Sequence, residues 1–207
     1  MSTILDNDLQ DFDPFAAGAI ERVIGTTEAQ REIWLADRLS PQASLAYNES
    51  VSLVLRGRLD VVALRTALDQ VVERHDALRA AVSVDGMQLF VHEAMPRDLP
   101  IDHLESLQRG PRDEALARAR AQAVSEPFDL GEGPLVRALL LRRGEELHEL
   151  LLSAHHIVCD GWSWGRIIDE LGLLYAQAVG VDIEPLPEPD RYEDYVQWEA
   201  TEAASPE

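Results

Sequence analysis

Two adjacent histidines, His155 and His156, open the run HHIVCDGWS, and Asp160 and Gly161 follow after three spacer residues. An imidazole titrates near neutrality, so it can take a proton from an attacking amine or hydroxyl and return it later. The apolar run from Leu147 to Ala154 leads straight into the pair. A β-strand carrying both histidines to its end aims one imidazole at a cleft and its neighbour at the opposite face. Asp160, past a turn, can hold the local backbone, and Gly161 lets a substrate approach the chain closely.

Other chemistries fit less well. The pair could cap a core strand, one histidine buried and hydrogen-bonded and the other at the surface. A metal site needs further ligands, and His75, His92, His103 and His148 show no pairing at metal-ligand spacing; no metal is expected. Ser163 has no G-x-S-x-G elbow around it and reads as a helix N-cap. Cys159, the single cysteine, has no base of its own and reads as a small buried residue.

The elements that must position these residues follow from periodicity. Thr27 and Gln30 form a capping-box pattern that starts a helix. Val51, Leu53 and Leu55 alternate as a strand that ends at Gly57. Asp60 caps a helix with Leu64, Leu68, Val71 and Val72 on one face. Leu78–Val84 and Met87–Glu93 read as a hairpin about Asp85-Gly86. A helix runs from Pro111 to about Ser125, where Pro127 stops it. Leu135–Leu141 and Glu146–Ala154 make a second hairpin about Gly144, and Leu150–Ala154 reads as a central strand covered on both faces. Ser163 then begins a helix that turns Ile167, Ile168, Leu171, Leu174 and Tyr175 inward. Pro185, Pro187 and Pro189 mark an extended linker before a last helix carrying Trp198. These elements predict an α/β sandwich with a mixed sheet and helices on one face. Residues 1–20, acidic through Asp6, Asp8, Asp11 and Asp13, read as a linker or docking tail, and residues 21–207 as one folded unit.

Composition narrows the partners. The chain has 207 residues, a net charge of −20 and 46% hydrophobic residues, enough for a sizeable core. All 18 of its cations are arginine. A pI near 4.5 argues against nucleic acid and against an anionic membrane surface; the charge serves solubility. A single cysteine excludes an internal disulfide and fits the reducing cytoplasm.

The wider pattern resembles the condensation domains of nonribosomal peptide synthetases, in the chloramphenicol-acetyltransferase-like superfamily. HHxxxDG followed by Trp-Ser is similar to their signature. Thr27 to Trp34 resembles the family's opening T-x-A-Q-x-x-x-W helix, and Arg74 to Arg79 its R-H-x-x-L-R segment. Pro127 to Leu130, with Gly133, Pro134, Leu135 and Arg137, resembles P-F-D-L…G-P-L-x-R. Tyr192 to Trp198 resembles the Y-x-D-Y-x-x-W segment that closes the N-terminal lobe.

The resemblance implies an α/β, chloramphenicol-acetyltransferase-like two-layer sandwich, the N-terminal half of a two-lobe condensation domain whose C-terminal lobe is missing. It implies amide-bond formation between a donor acyl or peptidyl thioester and the amine of an acceptor aminoacyl thioester. Both ride on phosphopantetheine arms of upstream and downstream peptidyl carrier domains, with no cofactor bound directly. By motif position His156 is the catalytic residue and Gly161 offers its backbone N–H to the developing oxyanion. His155 shapes the strand end, Asp160 forms a structural ion pair with Arg74 or Arg79, and Trp198 closes the core. The isolated half is expected to be inactive, with apolar groups exposed near the His155–Gly161 turn. An epimerisation domain, a coenzyme A-dependent acyltransferase of the same superfamily and a non-catalytic carrier- or partner-binding half-domain remain as alternatives.

Overall fold

The computed structural model describes residues 18–96 and 98–203. Among these residues two sheets carry the fold. The first is antiparallel, in the order β1-β4-β3, with β1 at Ile20–Gly25, β3 at Ala80–Val82 and β4 at Gln88–His92. The second runs β2-β7-β6-β5, with β2 at Asn48–Arg56, β5 at Ile101–His103, β6 at Val136–Gly144 and β7 at Leu147–His155. Its first three strands are antiparallel, and β5 joins β6 in parallel. The sheet is therefore mixed, as the sequence predicts.

Among the described residues six α-helices surround the sheets: α1 (Glu28–Asp37), α2 (Pro41–Leu45), α3 (Val61–Arg74), α4 (Arg109–Ser125), α5 (Gly161–Ala178) and α6 (Tyr192–Ala203). The capping box of α1 is formed: Thr27 accepts from the Gln30 amide and Gln30 from the Thr27 amide. Asp60 caps α3 through the Ala63 amide. α3 buries Leu64, Ala67, Val71 and Val72, and α5 buries Trp164, Ile167, Leu171 and Leu174. These two stripes meet Leu150, Leu152 and Ala154 of β7 in the main core. Glu170, buried in α5, ties the helices together by accepting from Arg74 and contacting His75.

The expected arrangement of helices on one face gives way to cover on both. Leu151 of β7 and Leu141 of β6 point away from α3 and α5, into a second core built with Leu116, Ala115, Ala119 and Ala123 of α4. The inward side of α4 is mostly alanine, which lets the helix lie close to the sheet but gives a faint hydrophobic period. β7 itself is covered on both faces, in line with its apolar run. On the α4 side the fully buried Glu149 is held by Arg120 Nε at 2.6 Å, Arg143 Nη1 at 3.0 Å and the Ser52 hydroxyl at 2.8 Å. Burial works against its charge, but these donors outweigh that cost and leave its pKa below the ordinary value.

The hairpin about Asp85-Gly86 is β3–β4. Gly86 has φ of 72°, and a Cβ there would stand 2.5 Å from the Trp34 ring, so the turn demands glycine on both counts. Strand β1 continues this sheet by pairing with β4. The expected tail of residues 1–20 lies outside the described residues as far as residue 17, and the first strand starts at Ile20.

Candidate functional site

Strand β7 delivers its two histidines to different environments. His155, the last strand residue, is fully buried. Its Nδ1 accepts the Ile157 amide at 3.2 Å, so the ring proton sits on Nε2, 3.5 Å from Asp37 Oδ1. Burial pushes this imidazole below its ordinary pKa, and the Asp37 charge opposes that only in part. Phe128 meets the ring edge-on at 6.3 Å between centroids, with the Arg137 guanidinium 3.9 Å over the other ring. His155 is thus a neutral core imidazole that packs the PFDL segment against the strand end.

His156, one residue on, has a side chain 37% exposed. Its amide donates to the Tyr47 carbonyl at 2.8 Å, and the Tyr47 ring stacks beside it at 6.5 Å. Its Nδ1 stands 2.7 Å from Glu49 Oε1, a short contact that is not in line with an N–H bond. Glu49 Oε2 in turn accepts from Trp164 Nε1 at 2.8 Å. Nε2 of His156 has no partner among the described residues.

The turn after the histidines is held from two sides. Gln30 of α1 donates its side-chain amide to the Ile157 carbonyl at 2.8 Å. Asp160 accepts from the Ser163 amide at 2.8 Å and its hydroxyl at 2.7 Å. Those two bonds, first the amide and then the hydroxyl, hold the Asp160 carboxyl below its usual range, with a smaller contribution from His156. Asp160, not Ser163, is therefore the N-cap of α5, and Ser163 lies inside its first turn.

This corrects the expected ion pair. Arg74 bonds Glu170 at 3.1 Å and the Pro187 carbonyl at 2.6 Å; buried Arg79 bonds Asp76 at 2.6 Å, Glu21 and the His92 carbonyl. Each arginine has nearer carboxylates than Asp160, whose Oδ1 is committed to starting a helix. Gly161 is the first residue of α5, where backbone N–H groups have no intrahelical acceptor. A Cβ on Gly161 would meet no atom within 4 Å, so open space lies over it.

Trp198 is also corrected. It is 58% exposed and meets Tyr195 in a tilted ring contact, 5.8 Å between centroids, instead of closing the core. The inward stripe of α6 is Tyr192 and Val196, and two residues past Val196 is more than half a helical turn away. The core contact of this segment comes from Tyr192, whose phenol burial pushes up to about 12 beside Thr27. Burial likewise raises the Cys159 thiol to about 12, so it is no nucleophile at neutral pH. Trp162 is 86% exposed, an apolar group beside the turn as expected.

Glu49, Tyr47 and Trp164 were not singled out as site residues. Trp164 carried a signal, as an aromatic one turn into a capped helix. Glu49 carried none, because only the β2–β7 register, which sets it opposite Ala154, brings it to His156. Trp164 also lines a cavity of about 630 Å³ between α3, α4, α5 and β6, with Leu68, Val72, Ala138 and Leu152 among its apolar walls. Among the described residues no cluster of His, Cys, Asp or Glu could hold a metal ion, and no helix is long and apolar enough to cross a membrane.

Comparison with known proteins converges on one family. Residues 20–207 match the family described as Condensation domain. Chondramide synthase cmdD of Chondromyces crocatus is 39% identical over 180 residues, 86% of this chain and 5% of that synthase. Phosphinothricin tripeptide synthetase PhsC of Streptomyces viridochromogenes is 36% identical over 174 residues, 83% of this chain and 16% of that synthetase. Among solved structures, a variant starter condensation domain of rhizomide synthetase RzmA, in complex with C8-CoA, superposes with a TM-score of 0.78 at 26% identity. That match covers 88% of this chain and 42% of the solved one. The chain thus spans less than half the length of these proteins.

Proposed function

The chain belongs to the condensation-domain family, and from that premise we propose that it is the N-terminal half of a domain that forms amide bonds in cytoplasmic nonribosomal peptide synthesis. The donor is an acyl or peptidyl thioester and the acceptor an aminoacyl thioester, each on the phosphopantetheine arm of a carrier domain. The second lobe completes the site, as the partial cover of the solved relatives supports.

The observation that carries this reading is His156: half-exposed at a strand end, with a carboxylate at Nδ1 and no partner at Nε2 among the described residues. The acceptor amine attacks the thioester carbonyl; a C–N bond forms, the C–S bond breaks and the pantetheine thiol leaves. Nε2 of His156 takes or orients the amine proton. The Gly161 N–H, at the start of α5, faces the oxyanion that develops on the carbonyl oxygen. Asp160 does no chemistry; it sets the helix start that presents Gly161. Without the second lobe His156 stands in water, where positioning and electrostatic stabilisation both weaken, and the 207-residue chain alone is inactive.

A second reading has one observation behind it, the C8-CoA bound to the RzmA starter domain: the donor here is a free acyl-coenzyme A. Mixing the chain with its second lobe, a loaded acceptor carrier, and the donor on either a carrier or coenzyme A separates the two by mass spectrometry. Amide product from the carrier-bound donor supports the first reading, product only from coenzyme A the second, and no product from either overturns both.

A further inference from the structure

Resting on the reading of His156 as the base, we propose that Glu49 is its positioning residue and that Trp164 holds Glu49 in the orientation this requires. Glu49 lies on β2 opposite Ala154, and its neighbour Asn48 opposite His155, so an antiparallel ladder fixes its place beside His156. Its Oε1 is 2.7 Å from His156 Nδ1 and its Oε2 2.8 Å from Trp164 Nε1. An indole N–H donates and never accepts, so Oε2 is committed as an acceptor. The other oxygen stands 2.7 Å from Nδ1, off the N–H line, and its negative charge favours the proton there and leaves the lone pair on Nε2. Trp164 is buried, its ring anchored in the main core, so the clamp is part of the fold.

The arrangement makes an uncommon demand on the isosteric variant. In Glu49→Gln the amide oxygen must face the Trp164 N–H, because the amide nitrogen there would set donor against donor. The NH2 group is then turned to His156 and donates to Nδ1, forcing the ring proton onto Nε2. The neutral substitution inverts the tautomer instead of merely weakening a contact. A base with its reacting nitrogen already protonated is disabled while the fold is kept.

The test has two readouts. The first is the 15N signature of the His156 ring in the labelled 207-residue chain, near pH 8. We expect Nδ1–H in the wild type and Nε2–H in Glu49→Gln, with thermal melts alike. The double variant Glu49→Gln/Trp164→Phe, which removes the indole donor, should restore a mixed population. The second readout is amide formation by the chain reunited with its second lobe: kcat should fall at least about 100-fold in Glu49→Gln with KM little changed, and recover in part in the double variant. An unchanged 15N signature in Glu49→Gln overturns the proposal. Should that variant fail to fold, Trp164→Phe alone decides the matter, since releasing the clamp must alter the wild-type tautomer signal. An inverted tautomer with undiminished turnover leaves Glu49 as the orienting group and removes His156 as the base, so the two failures are distinct.

Discussion

Asp160 Oδ1 accepts both the amide of Ser163, at 2.8 Å, and its hydroxyl, at 2.7 Å, so the acid of the signature turn is the N-cap of α5. Losing such a cap costs about 0.5–2 kcal/mol, less than the roughly 3–5 kcal/mol of a broken buried ion pair. Asp160→Ala should therefore lower stability modestly in urea titration, and Asp160→Asn, also a good cap, should recover most of it. A loss at the ion-pair scale, not rescued by Asn, contradicts the cap.

The same carboxyl gives a pH dependence of known sign. Its folded pKa lies below the ordinary 3.8 because the Ser163 donors favour the charged form. Its contribution is therefore present above the unfolded pKa and is lost as pH falls through the lower folded value. Glu149, inside the second core, is likewise held below its ordinary pKa, and the sign is the same. Glu149→Gln should cost about 3 kcal/mol at neutral pH, the low end for breaking a buried pair, because half-exposed Arg120 regains water. The stability gap between wild type and Glu149→Gln should close as pH falls below about 4.5. A gap that persists in acid means the carboxylate charge is not what holds the cluster.

Gly161 can be probed without disturbing its surroundings. Since a Cβ there meets nothing within 4 Å, Gly161→Ala should change stability by no more than about 0.5 kcal/mol. In the completed domain, the added methyl lies where substrate approaches, and amide formation should drop. Wild-type turnover by this variant argues against a close approach at Gly161.

Trp198, exposed on α6, should be replaceable by Ala at a cost of under about 1 kcal/mol. Trp198→Ala should also remove a red-shifted, readily quenched part of the tryptophan fluorescence. A large destabilisation would return Trp198 to the core.

The histidine pair, its strand, both hairpins and the capped helices were legible because each rests on a local rule: alternation, a cap, a turn residue. The expectations that changed are those that depended on what lies next to what. Asp160 and Arg79 were matched across the fold by resemblance, but a backbone amide three residues away and the nearby Asp76 claim them first. Trp198 was placed in the core by resemblance, whereas Tyr192 and Val196 set the inward stripe of its helix. Glu49 escaped notice because a charged residue at the start of a strand has no local signature; only pairing with β7 gives it a meaning. The short β5 and α2 passed unread for want of length, although Ser40-Pro41 is a start signal.

The central claim is that Nε2 of His156 serves amide formation while Asp160 only holds the turn. Single-turnover amide formation by the two-lobe domain, measured for wild type, His156→Ala and Asp160→Asn, tests it most directly. The account predicts a fall of about 100- to 10,000-fold for His156→Ala with an unchanged melting temperature, and near-wild-type rates for Asp160→Asn. Retained turnover in His156→Ala, or a collapse in Asp160→Asn without loss of stability, would contradict it.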